Sequence, residues 1–376
     1  MSLLKIERAT LTRYLPELAP RLGATPLMTL EEPGSGAIQA FRECHGPGLL
    51  IPRELGGLGA TALDAVRIHR VLGSLSPSMA VATTMHDFTV VTLVEFGIFG
   101  GDEGCAALLQ AVADNDMLMA SGFAEGRSGT NILAATMEAR QTEDGGYVLA
   151  GSKKPCSLSR SMDLLSGSAI LRCEGAPPRR AIVLVPADTP GLERRPFWGS
   201  SVLTAAESEE VVLDGVVIPG DLLFFPDKED ELDAVEVAGY VWFQLLVTAS
   251  YVGVATALVE RALASGKGGA SERERLAIEI EGAMSALEGV ARALDAREPS
   301  EDLLPRALLV RYSVQRSIER AAMEAAELLG GMAFISSPEV AYLLAASRAL
   351  AFHPPSRLGS AEPLSRYLAG ERLVAV

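Results

Sequence analysis

The spacing of apolar residues predicts helices at both ends of the chain. In the first part, four residues recur at positions i, i+3, i+4 and i+7: Ala62, Ala65, Val66 and His69. This interval places them on one face of an α-helix. In the last third, alanine- and leucine-rich segments show a helical pattern at 234–265, 272–295, 303–330 and 338–351. Long segments with short connections are typical of a four-helix bundle.

The middle of the chain has a different pattern. It is rich in glycine and proline and contains short apolar, β-branched runs at 147–149, 181–185, 211–213 and 216–218. Such runs, bounded by turn residues, predict a compact antiparallel sheet or barrel. The acidic stretch 227–231 then predicts a solvated linker. We therefore predict a helical domain, a small β domain and a helical bundle, at 1–116, 117–226 and 227–376.

One segment, 237–259, contains no charged residue. It is long enough to cross a bilayer, which takes about 20 residues in a helix. Polar residues interrupt it at Gln244, Thr248 and Ser250, and no cluster of lysine or arginine precedes it. We therefore predict a helix buried at the centre of the bundle, with a membrane span as the alternative.

The charge balance narrows the function classes. The chain has 33 lysine and arginine residues against 48 aspartate and glutamate residues, a net charge of −15. This acidic balance, without a basic stripe, argues against a nucleic-acid partner and against a polybasic membrane anchor. The first residues show no apolar run behind a basic segment, so we expect a cytoplasmic location.

Cysteine and histidine residues form no recognisable metal-binding pattern. The four cysteines are widely spaced and include no C-x-x-C pair: Cys44, Cys105, Cys156 and Cys173. His45, His69 and His86 lie on separate helical segments without a shared ligand spacing. We therefore predict neither a metal site nor a disulfide framework.

Six short stretches carry a more specific signal. They read GLLIPRELGGLG at 48–59, ASGFAEGRSGTN at 120–131, GSK at 151–153, VPADTPG at 185–191, VLDGVVIP at 212–219 and LGG at 329–331. In this order they resemble the motifs of the acyl-CoA dehydrogenase superfamily of flavoproteins. The resemblance implies an α+β multidomain fold with an N-terminal helical domain, a central small β-barrel or sheet domain and a C-terminal four-helix bundle.

The resemblance also implies a bound flavin, FAD by family precedent, with FMN as the alternative. In such a site small residues let backbone N–H groups approach the flat ring system. Ser157 stands where the family has a hydroxyl near flavin N5. The residues that would contact the cofactor are Phe123, Ala124, Glu125, Ser128, Gly129, Thr130, Cys156, Ser157, Gly330 and Gly331.

The chain departs from the family in the motifs that bind FAD. The arginine that reaches the FAD pyrophosphate of a neighbouring subunit is missing from the shortened stretch 264–271. Glu327 replaces a glutamine that contacts the FAD tail, and Pro155 replaces an aromatic residue beside the flavin. We therefore expect weaker retention of FAD than is usual for the family, and comparable binding of FMN.

The residue in the catalytic position is also altered. Most members carry a glutamate there, which removes a proton α to a thioester, whereas in this chain the position falls on His353 by one count and on Pro354 by another. The family's alternative position holds Phe243 and Gln244, neither of which is a base. We predict His353 as the catalytic base, because an imidazole with a pKa of about 6.5 transfers protons at neutral pH. The alternative is that His353 stabilises a helix end through the helix dipole.

Three readings of the function follow from the resemblance. The first is an acyl-CoA dehydrogenase-like oxidoreductase that acts on an acyl thioester of CoA or of an acyl carrier protein. The second is a two-component monooxygenase that uses reduced FMN or FAD. The third is a relative without flavin redox chemistry, serving as a lyase or a binding protein.

The partners follow from the same resemblance. We expect a homodimer or homotetramer, because two-fold pairing of bundles completes each flavin site in this superfamily. A flavin reductase or an electron acceptor would be a further partner.

Overall fold

The structure, a computed structural model, describes residues 3–98, 103–126, 135–173, 175–228 and 231–373. Helices come first: α1 Lys5–Tyr14, α2 Leu18–Gly23, α3 Leu27–Leu30, α4 Ala37–Glu43, α5 Ala62–Leu75, α6 Pro77–Ile98 and α7 Glu103–Asp114. Strands follow: β1 Met119–Gly122, β2 Glu138–Gln141, β3 Tyr147–Cys156, β4 Leu164–Leu171, β5 Arg179–Pro186, β6 Leu192–Arg195, β7 Glu209–Ile218 and β8 Leu223–Phe224. Further helices come after the strands: α8 Ala234–Ala264, α9 Ala270–Asp295, α10 Ser300–Leu329, α11 Gly331–Ser336, α12 Pro338–Ser347 and α13 Ala361–Leu368.

The order of helices, sheet and helices confirms the predicted fold class. The domain boundaries remain predictions. One helix differs from its predicted range: α12 ends at Ser347 and continues as a 3₁₀ turn, Arg348–Phe352. The next residue, His353, is extended with a ψ of 141°, the conformation that a following proline favours. The Pro-Pro sequence therefore ends the helix and starts a turn.

The strands form one sheet within the described residues. Its order is β6-β7-β3-β2-β4-β5-β8, with β1 beside β4. The prediction of an antiparallel sheet holds for most neighbours, but β1 and β2 both run parallel to β4. Parallel neighbours need a long connection, and the segments between these strands supply it. Strand β3 pairs with β7, and its last residue, Cys156, lies opposite Glu209.

Helix α8 is the centre of the helical part. Its first turn is a capping box: the Asp233 carboxylate accepts a hydrogen bond of 2.8 Å from the Glu236 N–H, and the Glu236 carboxylate accepts one of 3.0 Å from the Asp233 N–H. The helix contacts α5, α6, α9, α10 and α12. Length and composition alone would let it cross a membrane, but its most apolar window is entirely buried inside the protein. Burial on all sides explains its lack of charge, as expected for a core helix.

Two glycines let α5 and α8 approach each other closely. A Cβ atom added to Gly253 of α8 would lie 2.0 Å from the carbonyl oxygen of Arg70. One added to Gly73 of α5 would lie 1.9 Å from the carbonyl oxygen of Ser250. Only glycine fits at this crossing, because interiors are already close-packed. The approach also brings polar side chains together, since His69 Nδ1 lies 3.1 Å from Ser250 Oγ.

We expect Gly253→Ala to destabilise the protein, because the new Cβ atom would press on a backbone carbonyl and only a separation of the helices relieves that contact. Overpacking of this kind costs about 1–3 kcal/mol, and we expect the upper end of that range here. Gly282→Ala is the matched control, since a Cβ atom there meets nothing within 4 Å. Alanine should stabilise that position in α9 by about 0.5–1 kcal/mol. Urea denaturation measures both changes, and equal effects would contradict the close crossing.

Candidate active site

Two of the predicted flavin-contacting stretches lie side by side. After β1 the chain passes the end of β3, where the Ala124 carbonyl accepts a hydrogen bond of 2.9 Å from the Lys154 N–H. This contact brings Phe123 and Ala124 close to Cys156 and Ser157, which follow Lys154 in sequence. Three other predicted residues, Ser128, Gly129 and Thr130, lie outside the described residues.

Ser157 presents a hydroxyl at this end of the sheet. Its Oγ lies 2.9 Å from the Oγ of Ser208, and both residues are buried. One hydroxyl of such a pair donates to the other, so the second hydrogen is free to bond a ligand acceptor. Cys156 is fully buried, and burial raises the pKa of its thiol to about 12. The thiol therefore stays protonated and acts as a small apolar neighbour, not as a nucleophile.

Glu125 is held by the protein itself. Its carboxylate accepts hydrogen bonds from the Lys153 ammonium at 2.6 Å, from the Thr136 N–H at 2.8 Å and from the Thr136 hydroxyl at 2.6 Å. Burial raises the pKa of this carboxyl, but these bonds outweigh burial and lower the pKa to about 2. Because Lys153 is fully buried on β3, the ion pair ties the turn after β1 to the sheet.

Gly330 and Gly331, which join α10 to α11, adjoin a different part of the chain. The Lys267 ammonium donates a hydrogen bond to the Leu329 carbonyl, so the shortened stretch 264–271 lies against the double glycine. Beside it is a cleft of about 220 Å³, lined by Glu272, Arg275, Leu276, Glu324, Glu327 and Leu328. Three carboxylates against one guanidinium make this cleft negative, which opposes the binding of a pyrophosphate.

The turn after α12 places His353 between α8 and α10. Its Nε2 lies 2.8 Å from the hydroxyl oxygen of Tyr251, and its ring centroid lies 6.3 Å from that of Phe243. On the other side, the His353 carbonyl accepts a hydrogen bond of 2.6 Å from Arg311. The predicted catalytic residue is therefore half-buried and held from two directions.

The surroundings of His353 keep its ring neutral. Burial lowers its pKa, and the positive charge of Arg311 lowers it further, to about 3. The expectation that this imidazole titrates near neutral pH is therefore wrong. The alternative role as a helix-end residue does not fit the geometry either, because Arg311, not the imidazole, binds the carbonyls of Leu350 and Pro354.

Aromatic side chains from α6 and α8 form a wall beside His353. The Phe88 and Phe243 rings meet edge to face with centroids 5.2 Å apart, and Tyr240 stacks on Phe243 at 6.2 Å. The next residue, Gln244, accepts a hydrogen bond from Arg311 through Oε1, whereas its buried Nε2 has no partner in the described part of the chain. The family's second catalytic position thus contributes an apolar surface and an amide, but no base.

A buried carboxylate joins three parts of the chain near this site. Glu31 accepts hydrogen bonds from the Ser76 hydroxyl at 2.7 Å, from the Ser78 N–H at 3.0 Å and from the Tyr342 hydroxyl of α12. Its own carbonyl accepts one of 2.7 Å from the Thr204 hydroxyl, in the loop before β7. Burial raises the pKa of Glu31, and the hydrogen bonds from the hydroxyl groups and the N–H offset only part of that rise. These bonds hold the helical part, the sheet part and α12 together.

The remaining buried histidines have interior partners. His86 Nε2 donates a hydrogen bond of 2.9 Å to the Pro47 carbonyl, and His86 Nδ1 accepts one of 2.9 Å from the Met119 N–H. His69 Nε2 lies 2.8 Å from Asp87 Oδ2, and both residues are fully buried. In the part of the chain that the structure describes, no group of three or more histidine, cysteine, aspartate or glutamate side chains is arranged to hold a metal ion.

The sequence patterns did not predict that Arg311 and Tyr251 are neighbours of His353. Arg311 carried a readable signal, because it falls at helical spacing with the buried residues Leu304 and Leu308. A charged residue on an apolar face is unusual enough to mark a site. Tyr251 carried none, since a helix that is apolar all round has no face that its sequence distinguishes.

Comparison with known proteins reveals relatives over the whole chain. Residues 244–353 match the family model described as acyl-CoA dehydrogenase, C-terminal domain. Over 374 residues the chain is 44% identical to the isobutylamine N-hydroxylase of Streptomyces viridifaciens, a match that covers 98% of this chain and 99% of that protein.

Solved structures share the fold. KijD3, in complex with FMN and dTDP-3-amino-2,3,6-trideoxy-4-keto-3-methyl-D-glucose, has a TM-score of 0.84 at 23% identity, over 98% of this chain and 95% of that one. FMN-bound TdsC from Paenibacillus sp. A11-2 has a TM-score of 0.79 at 18% identity, over 99% and 98%. With the identity to the N-hydroxylase over nearly the whole chain, the protein belongs to the acyl-CoA dehydrogenase-like family of flavin-dependent enzymes.

Proposed function

We propose that the protein is a two-component N-hydroxylase of a small primary amine. The reaction joins the amine, O₂ and reduced flavin, and yields the hydroxylamine, water and oxidised flavin. The identity to an isobutylamine N-hydroxylase supports this reaction. The structural observation that carries the proposal is the uncharged state of the His353 ring. Its imidazole is neutral, it lies beside the buried guanidinium of Arg311, and among the described residues no carboxylate bonds to either group.

This proposal takes the monooxygenase alternative over the acyl-thioester reading. Removal of a proton from carbon α to a thioester needs a base placed at that carbon, which the family supplies as a glutamate. Here the two candidate positions hold His353 and the pair Phe243 and Gln244. An imidazole with a pKa of about 3 is a poor base for a carbon acid. N-hydroxylation removes no proton from carbon, so it agrees better with these side chains.

The charges around the site favour the reactive form of an amine. A primary alkylamine, like a lysine side chain, has a pKa of about 10.4 in water, and only its neutral form has a free lone pair on nitrogen. Burial and the positive charge of Arg311 lower the pKa of an ammonium as they lower that of His353. Phe88, Tyr240 and Phe243 supply the apolar surface for the alkyl group. The site therefore selects an uncharged amine with a small apolar substituent.

We propose that His353 accepts the proton that the amine nitrogen loses. A nitrogen that has just gained oxygen and still carries its extra proton is far more acidic than an alkylammonium, so a neutral imidazole can remove that proton. The Tyr251 hydroxyl, 2.8 Å from His353 Nε2, holds the ring in place while its charge changes. His353 then releases the proton to solvent, because its charged imidazolium form is unfavourable beside Arg311.

The cofactor we propose is FMN in place of FAD. When bound, the reduced flavin supplies the electrons and activates O₂. The small residue Ala124 and the hydroxyls of Ser157 and Ser208 fit the edge of a flat ring with polar atoms. KijD3 and TdsC hold FMN in their structures. The cleft beside Gly330 has a net negative charge, which disfavours the FAD tail.

Two partners follow from this reaction. Reduced flavin has to come from a separate flavin reductase, and we place both proteins in the cytoplasm. We further propose a homodimer or homotetramer. Met332, Ile335 and Phe352 expose most of their apolar side chains at the surface of the bundle, and exposed apolar residues of this size favour burial in an interface.

We expect the purified protein to convert isobutylamine to its N-hydroxylamine when it is supplied with FMN, NADH, a flavin reductase and O₂. Mass spectrometry should show one added oxygen atom, labelled when ¹⁸O₂ is used. His353→Ala should lower the turnover number by about 10²–10⁴-fold, the usual contribution of a general acid or base. His45→Ala, which changes an exposed histidine paired with Asp116, is the matched control and should leave the turnover unchanged. Flavin reduction by an acyl-CoA without amine oxidation would instead favour the dehydrogenase reading.

The flavin preference is tested by titrating the apoprotein with FMN and with FAD. We expect FMN to bind at least as tightly as FAD, because the cleft near Gly330 repels the FAD tail. Glu327→Gln removes one of its three acids, and we expect FAD affinity to rise by about two- to fivefold, the size of an exposed charge interaction. FMN affinity should not change. Tenfold tighter binding of FAD by the unmodified protein would show that its pyrophosphate is bound elsewhere.

The lowered pKa of His353 predicts a pH dependence of stability. Its pKa is about 3 in the folded protein, whereas the unfolded chain binds the proton at its ordinary pKa of about 6.5. The unfolded state therefore binds more protons in this window, and stability falls as the pH drops below 6.5, by at most about 1.4 kcal/mol per pH unit from this group. His353→Gln should lose less stability than the unmodified protein between pH 7 and pH 5 in urea denaturation. Parallel stability curves would show that His353 is not buried in its neutral form.

A further inference from the structure

We infer that Arg311 is a positioning residue for His353, and that it acts by binding the backbone of the turn that carries the imidazole. The inference rests on the role proposed above for His353. Arg311 lies inside the bundle with only 1% of its surface exposed. No carboxylate among the described residues pairs with it, whereas Arg320 of the same helix pairs with Glu279. An interior cation without an acid requires other partners.

Four oxygen atoms surround the Arg311 guanidinium. Its Nη2 donates to the carbonyls of Leu350 at 3.1 Å and His353 at 2.6 Å. Its Nη1 donates to the carbonyl of Pro354 at 2.9 Å and to the side-chain oxygen of Gln244. Leu350 lies in the 3₁₀ turn and His353 and Pro354 follow it, so all three carbonyls turn the negative ends of backbone dipoles toward the cation. Backbone dipoles therefore balance the cation.

These hydrogen bonds fix the orientation of the His353 ring. The guanidinium is planar and binds the backbone before, at and after the ring-bearing residue, which leaves this short segment one conformation. On the opposite side, Tyr251 bonds Nε2 at 2.8 Å. Without Arg311 the turn would lose three interior hydrogen bonds, and the ring would no longer be directed at α8. Lysine cannot replace it fully, since an ammonium is a point charge with three donors and lacks the planar fork.

Gln244 shows that stability alone does not account for this arrangement. Its Nε2 and the Nε of Arg311 are both buried and have no hydrogen-bond partner among the residues that the structure describes. Unpaired interior donors are unfavourable for folding, and an apolar pair of similar shape would avoid them. The polar pair instead links α8, α10 and the His353 turn. A role in holding the His353 turn in place explains why the chain keeps a polar pair that folding stability alone would not favour.

The test uses the full chain with ¹⁵N in its histidine rings. The chain has only four histidines, so the ring signals are few, and His353→Gln assigns those of His353. Arg311→Lys keeps the charge but loses the planar fork, and Arg311→Met removes both. Arg320→Lys, at an exposed position of the same helix, is the matched control.

We expect Arg311→Lys to shift or broaden the His353 ring signals while the other three histidines keep theirs. The kcat for amine hydroxylation should fall by about 10–100-fold, because small misplacements of a catalytic group cost that much, and the amine KM should stay within about threefold. Arg311→Met should show a larger effect of the same kind. Arg320→Lys should change neither the spectrum nor the kinetics.

Unchanged His353 signals in Arg311→Lys would overturn the inference, and so would equal shifts of all four histidines together with a general loss of thermal stability. If Arg311→Met does not fold, Arg311→Lys decides alone. The ring signals are recorded without flavin and without amine, so they test the position of His353 whatever the substrate is. A failure of the proposed function appears separately, as unchanged turnover in His353→Ala.

Discussion

The close crossing of α5 and α8 fixes how the interior helices of this protein pack. At Gly73 and Gly253 the two backbones nearly touch, so α8 has no freedom to shift sideways or to turn about its axis. An uncharged helix of this length needs neighbours on every side, and α5, α6, α9, α10 and α12 supply them. Helix α8 also carries Phe243, Gln244 and Tyr251. The helix contact that packs the core therefore also fixes the positions of the side chains that face His353.

Two buried ionisable groups, Glu31 and Arg311, are surrounded by neutral dipoles, and neither has an ion-pair partner among the described residues. Hydroxyl groups and an N–H surround the carboxylate, and backbone carbonyls surround the guanidinium. Such charges are costly unless every hydrogen bond is well placed, so each specifies one arrangement of the segments around it. Glu31 holds α12 against the first helices and the loop before β7. Arg311 then holds the turn that follows α12, and the local potential at His353 becomes positive.

The local pattern of apolar and polar residues was sufficient to predict the architecture. Helical spacing marked α5, α9 and α10, and β-branched runs marked β3, β5 and β7, because burial of one face imposes its period on the sequence. The motif order then indicated the family. The parallel placement of β1 and β2 beside β4 was not predictable, because neighbours across a sheet are chosen by packing of segments distant in sequence. The end of α12 at Ser347 was also missed, although the prolines after His353 pointed to a nearby stop.

For the site, the sequence by itself determined which side chains are present: a histidine where the family has a glutamate, no base at the second position, and no arginine for the FAD tail. The tertiary structure decided how they behave. Tyr251, which bonds the ring, lies 102 residues from His353 in sequence and Arg311 lies 42 residues away, and burial together with the Arg311 charge takes the imidazole pKa from its ordinary value to about 3. A pKa depends on the charges and the solvent within a few ångströms of the group. Those distances exist only once the helices have packed.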